Sequence, residues 1–320
     1  MEIAPDIHMI EGVVAGRPLQ LYLLRGRDRT VLLDTGCAPD PEKFIFPSLA
    51  GLGLKPIDVD LILNTHSDLD HCGGNASFKL VHPRVLLTCG EADRPLIEAP
   101  EVMWARRYNR YAEPHGLAYD EGGKQWIWEM LGEAQPVDFT WRGGETLRLS
   151  PDWTVEILHT PGHSAGHLSV FDPRSRTVLT GDAVHGSVHL DMTGKPALCP
   201  TYLQVDAYLS TVHYLRRLGA ETLAGCHWSI KRGAEVEAFL DETEQFVELA
   251  DRVLLAELDR RRRGATLREL IDAVSPKLGA WPRSVDLELM YALSGNMDRM
   301  VALGQVVADA GPGPIRYSLT

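Results

Sequence analysis

Residues 65–74, Thr65-His66-Ser67-Asp68-Leu69-Asp70-His71-Cys72-Gly73-Gly74, place two imidazoles and two carboxylates within six positions, with two glycines close behind. Such a run makes a poor core and a costly surface, because each of these groups needs a partner once water is removed. Imidazole nitrogen and carboxylate oxygen are the donors that hold Zn²⁺, Mn²⁺ or Fe²⁺. The run follows a short apolar segment, Val59–Leu63, that reads as a buried strand. Side chains at a strand end are held rigidly and remain within reach of a ligand.

Outward from this stretch the same plan recurs. Leu19–Leu24 and Thr30–Leu33 read as strands around the turn Arg25–Asp28, and the second ends in Asp34-Thr35-Gly36. Thr154–Leu158 runs into His159-Thr160-Pro161-Gly162-His163, and Thr177–Leu179 runs into Thr180-Gly181-Asp182. An amphipathic helix, Asp206–Leu218, is stopped by Gly219 and followed by a strand, Thr222–Ala224, that delivers Cys226-His227. Polar groups gathered at so many strand ends predict an α/β protein with two sheets and two similar halves.

Taken in order, these motifs resemble the five of the metallo-β-lactamase superfamily, over about residues 8–230. The resemblance implies an αββα sandwich with metal ions at one edge, between the sheets. Position by position, it implies one ion held by His66, Asp68 and His163 and another by Asp70, His71 and His227. Asp182 would bridge the two, Asp34 would orient ligands from behind, and Asp70 and Asp182 would stand closest to the chemistry. The chain departs from the family pattern at Asp68, where His is usual. If Asp68 binds, an extra carboxylate offsets more of the charge of two divalent ions, so Fe or Mn competes with the Zn that is most common in the family. The alternative is that Asp68 turns away and only one ion is held well. His185 and His189 match no ligand position.

The implied activity is hydrolysis of an ester, lactone or thioester by a hydroxide generated at the ions, with a small molecule as substrate. An iron-dependent oxidoreductase acting on oxygen or sulfur species is the alternative, and a phosphodiesterase or nuclease is favoured less. The formal net charge of −12 speaks against gripping a phosphate backbone, so no nucleic-acid partner is expected.

Domain organisation reads as a catalytic domain, 1–233, and a helical C-terminal domain, 234–320, with a helical, aromatic insertion over about 91–141. In the insertion, Trp104, Tyr108 and Tyr111 fall at i, i+4 and i+7, which predicts one helical face, either core or lid. Arg107 and its neighbours Arg106 and Arg110 are candidates to grip an anionic substrate tail. Trp104, Tyr108, Arg107, His167 and His185 are therefore candidate pocket residues. Beyond 234, a long helix Glu235–Arg263, a capping box at Thr266-x-x-Glu269, a helix Ser294–Val307 and a β-wing over Gly311–Ser318 resemble a small winged-helix-like domain. Five scattered Cys with no C-x-x-C pair fit free thiols. The absence of an apolar run near membrane-span length leads us to expect a soluble, cytoplasmic protein with no membrane partner, and a homodimer is left open.

Overall fold

The computed structural model describes all 320 residues. A long hairpin pairs Ile7–Val14 with Arg17–Arg25, registered from Ile7 opposite Leu24 to Val14 opposite Arg17, and Leu21–Leu24 is buried throughout. Thr30–Leu33 and Leu61–Asn64 are buried on both faces and pair in parallel with Leu33 beside Leu63, as continuous apolar strands do. With Glu2–Ala4, Leu86–Gly90 and Phe139–Trp141 they form a seven-stranded sheet. The second sheet has six strands, including Trp153–His159, Leu168–Asp172, Thr177–Gly181 and Thr222–Gly225, the last two parallel.

The sheets close on one core, to which Leu24, Val31, Leu61 and Leu63 contribute from the first and Val155, Ile157, Val170 and Leu179 from the second. Leu49, Phe78 and Ile127 bring helices onto the outer face of the first sheet. Val212 and Leu215 of the helix Val205–Leu218, with Val236 and Phe239 of the helix Ala234–Arg261, cover the second. This is the αββα layering expected. The strand ends that carry the sequence motifs lie along one edge of the sandwich.

The C-terminal residues form the helices Ala234–Arg261, Leu267–Leu278 and Leu289–Ala302 and a three-stranded antiparallel sheet, Ala265–Thr266, Arg316–Leu319 and Val306–Asp309. The capping box forms: the Glu269 N–H donates to Thr266 Oγ1 and the Thr266 N–H donates back to the Glu269 carboxylate. The last helix starts at Leu289, five residues before the sequence suggests, because Leu289–Leu293 is buried on every side and shows no amphipathic period. The largest core cluster straddles the expected 233/234 boundary, packing Tyr111, Tyr202, Val205 and Tyr208 against Phe246, Leu254, Leu270 and Met297.

The insertion does not form the expected single helix. Pro100–Met103 is a short helix that widens into a π-type turn, in which the Asn109 N–H donates to Trp104 O across 2.8 Å. After the break come Ala112–His115, ended by Gly116 at φ 64°, and Glu121–Leu131. Trp104, Tyr108 and Tyr111 therefore share no face. Trp104 stacks on Trp128, Tyr108 enters the core beneath the first sheet, and Tyr111 joins the C-terminal core.

Candidate metal centre

Five strand ends build the site. The parallel pairing of Thr30–Leu33 with Leu61–Asn64 brings Asp34 beside Thr65, whose N–H donates to Asp34 Oδ1 at 2.7 Å. The chain then turns into the short helix Leu69–Cys72, which carries Asp70 and His71. On the other sheet, the register Gly181 opposite Gly225 sets Asp182 and His227 side by side. His163 comes from the loop after Trp153–His159. Gly162 in that loop has φ 137°, and a Cβ there would lie 2.4 Å from Tyr208 Cα, so no other residue fits the close approach.

The seven expected ligand residues converge. His163 Nε2 lies 3.1 Å from His66 Nε2 and 3.0 Å from Asp68 Oδ2. His227 Nε2 lies 3.4 Å from both Asp70 Oδ2 and Asp182 Oδ2, and His71 Nε2 lies 3.8 Å from Asp182 Oδ2. Bonds of about 2.1 Å to one tetrahedral ion imply donor separations of roughly 3.4 Å, so these side chains fit metal ions without rearranging. His71 Nε2 and Asp182 Oδ1 are buried with no hydrogen-bond partner, which marks them as groups suited to a cation.

The far ring nitrogens are fixed from behind. His71 Nδ1 lies 2.9 Å from Asp34 Oδ2, His66 Nδ1 lies 3.0 Å from Thr65 Oγ1, and His227 Nδ1 lies 2.8 Å from the Pro18 carbonyl. Asp34 thus lies behind His71, next to the ring nitrogen that faces away from the cluster. Burial works against charge on His71 and His227, yet the surrounding carboxylates overcome it and push both imidazoles above their usual range, Asp34 contributing most at His71 and Asp182 at His227. The carboxylates therefore call for positive charge at this end of the site.

Asp68 is placed with His66 and His163, but both its oxygens also accept from one guanidinium: Arg107 Nε donates to Oδ1 at 2.7 Å and Nη2 to Oδ2 at 2.6 Å. Burial would raise the Asp68 carboxyl, and Arg107 with His163 reverses this and holds it well below the usual carboxylate range. Arg107 is itself buried and lies 4.2 Å from the centre of the Tyr291 ring. Arg107 lines the cavity, but its Nε and Nη2 are engaged by Asp68, so only Nη1, buried and without a partner, is left for another acceptor, and its main contact is as the counter-ion of Asp68.

Three other pocket expectations change. Trp104 faces Trp128 and does not line the cavity beside the site. His167 is buried inside the fold, its ring bonded to Thr160 Oγ1 and accepting the Asp182 N–H. His185 also lies beneath the site and not in the cavity wall. Tyr108 does line the cavity, although its hydroxyl is taken by the Leu69 N–H. The wall also contains Arg17, Tyr119, Glu288 and Tyr291, which the sequence reading passes over, and His189, to which it gives no role. Also passed over is Asp93, which accepts from the Ser67 and Gly166 N–H groups and from Ser164 Oγ, tying the His66 loop to the His163 loop. An isolated acid in a polar stretch carries no periodic signal, so nothing local marks it.

The strand-end imidazoles and carboxylates on this αββα frame form clusters that could hold metal ions, beside a cavity. The sequence profile of the metallo-beta-lactamase superfamily matches residues 17–227, and the chain belongs to that superfamily. A probable metallo-hydrolase of Mycobacterium tuberculosis is 36% identical over 143 residues, covering 44% of this chain and 42% of that protein. The chain thus aligns with less than half the length of this relative. The acyl-coenzyme A thioesterase MBLAC2 of Bos taurus is 23% identical over 225 residues, 64% of this chain and 69% of that protein. Among solved structures, a metallo-beta-lactamase family protein of Thermus thermophilus superposes with a TM-score of 0.78 at 23% identity, covering 100% of both chains. The shared fold therefore includes the helical C-terminal region. No helix is long and apolar enough to cross a membrane, and all five cysteines are buried and unpaired.

Proposed function

We propose that the chain hydrolyses the ester, lactone or thioester bond of a small molecule, using two divalent ions held by His66, Asp68, His163, Asp70, His71, His227 and Asp182. The observation that carries this reading is the cavity of about 230 Å³ that opens directly onto Asp68, Asp70, Asp182 and His227 and is walled by Tyr108, Tyr119, Trp126, Ile127, Leu198 and Tyr291. Its apolar wall suits an acyl chain or lactone ring, and its size suits a small one. Divalent ions in such a site supply a Lewis acid for the carbonyl and lower the pKa of water. The chain's own contribution is to fix the donors through Asp34, Thr65 and Pro18, to exclude water with the aromatic wall, and to offer the Asp70 carboxylate as a proton acceptor at the cavity mouth.

Arg17 takes the part first expected of Arg107. It lines the cavity beside His227, its buried Nε has no partner, and no carboxylate forms an ion pair with it. Glu288, across the wall, accepts from Tyr119 Oη, and burial raises its carboxyl. Arg17 is thus the free cation for an anionic end of the substrate. The charge argument for Fe or Mn also weakens, because the Arg107 guanidinium offsets the extra carboxylate of Asp68 and returns the net charge to that of a site with a neutral imidazole there.

The test is a turnover screen of metal-loaded protein with short acyl thioesters, aryl esters, lactones and phosphodiesters. Turnover of an acyl substrate, abolished by chelation and restored by Zn, Mn or Fe, is the expected result, with Arg17→Gln raising KM for anionic members about 10- to 100-fold, the value of a charge-assisted hydrogen bond. Turnover of the phosphodiesters alone refutes the reading.

A further inference from the structure

His185 lies in the loop after Asp182 and is fully buried. Two helices pin that loop: the His185 N–H donates to Tyr208 Oη and the Gly186 N–H donates to Thr243 Oγ1, each at 2.9 Å. The imidazole packs against the rings of Tyr208 and Trp228, and its plane is nearly perpendicular to that of His163 at a centroid distance of 4.9 Å. Neither of its ring nitrogens has a hydrogen-bond partner. Buried polar groups are as a rule satisfied, so a rigidly held imidazole with two unused nitrogens calls for a ligand.

The neighbours say which ligand. His185 Nε2 is 4.0 Å from Asp182 Oδ2, and Asp182 Oδ1 is likewise buried without a partner. One donor atom from each of His163, Asp182 and His185 lies within 4.8 Å of the others. Asp68, the residue standing where the family usually has His, is meanwhile clamped through both oxygens by Arg107. A carboxylate that shares its lone pairs with a guanidinium is a weaker donor to a cation than a free one.

We propose that His185 is a further metal ligand, which with His163 and Asp182 gives the ion on the His66 side an imidazole in compensation for the carboxylate held by Arg107. This rests on the metal-site reading proposed above. It assigns a role to a residue that lies outside the family's five motifs, and it gives a reason for the departure at Asp68: the imidazole is supplied from the other sheet.

The experiment uses the full chain labelled with ¹⁵N-histidine, stripped of metal and titrated with Zn²⁺, the His185 ring signals being assigned with His185→Gln. A ring nitrogen of His185 should shift at the same equivalence point as those of His66 and His163. In parallel, His185→Ala should lower the affinity for one of two ions by about 100-fold. His159→Ala, which removes an exposed imidazole bonded to the Ala165 carbonyl, should leave both affinities unchanged. Static His185 signals while His66 and His163 shift overturn the proposal and leave the metal site standing, as does a folded His185→Ala variant that binds both ions normally. If His185→Ala does not fold, the labelled wild-type chain decides alone. No shift at any of the three imidazoles refutes the metal site, and this inference with it.

Discussion

Removing the Arg107 guanidinium should cost the metal-free protein much more stability than the metal-loaded one. Arg107→Ala leaves Asp68 among His66, His163 and apolar side chains with no cation bonded to it. Deleting one member of a buried ion pair costs about 3–5 kcal/mol, and the lost contact with the Tyr291 ring adds about 1–2 kcal/mol. Asp68 retains 14% side-chain exposure at the cavity mouth, so water softens the penalty and about 3 kcal/mol is the working figure. At roughly 2–4 °C per kcal/mol for a large domain, the metal-free melting temperature should fall by roughly 6–12 °C. Arg107→Lys keeps the charge, loses the fork, and should fall between. A divalent ion next to Asp68 replaces the missing positive charge, so the drop should shrink in loaded protein. Melting curves of wild type and variants with chelator and with excess Zn²⁺ read both quantities. If metal-free Arg107→Ala melts within about 1 °C of wild type, well inside the effect of a surface substitution, the pair is not a buried one and the compensation argument fails. If the variant instead changes only KM for anionic substrates, Arg107 is a substrate clamp after all.

Two further outcomes follow from other parts of the fold. Trp104→Ala breaks the stack on Trp128 and should cost about 1–3 kcal/mol in denaturant melts with little change in KM, whereas Trp126→Ala, in the cavity wall and 38% exposed, should raise KM several-fold and leave the melt close to wild type. Glu257 accepts from Arg260 and Arg261, which outweigh its burial and push its carboxyl down from 4.5 to about 2. A depressed folded pKa means stability that is present above about pH 4.5 and lost as pH falls toward 2. Glu257→Gln should therefore destabilise at pH 7, with the gap to wild type closing between about pH 5 and 2, and a gap that does not depend on pH would contradict this account.

The strand-end residues are legible in the sequence because each sits next to the apolar run that positions it: Asp34, His66, Asp182 and His227 follow their strands within a few residues. What joins these units is hidden there. Arg107 meets Asp68 across 39 residues, and Tyr119 meets Tyr291 across 172. Spacing rules act over one or two helical turns and do not reach so far. The expected helix through Trp104, Tyr108 and Tyr111 fails for the same reason, since two separate cores claim its aromatic residues and the chain opens a π-type turn to serve them. Asp68 is identified by position and misjudged in charge, because its counter-ion lies on another element.

The core that straddles residues 233 and 234 makes the cavity a joint inheritance. Val285, Glu288 and Tyr291 stand in the wall of the cavity although every ligand of the family motifs, and His185 with them, lies before residue 228. A hybrid spliced between two homologues at that junction would exchange part of the cavity wall along with the tail. It would also have to carry matching partners for Tyr111, Tyr202 and Tyr208, so the tail cannot be traded as a free-standing cassette.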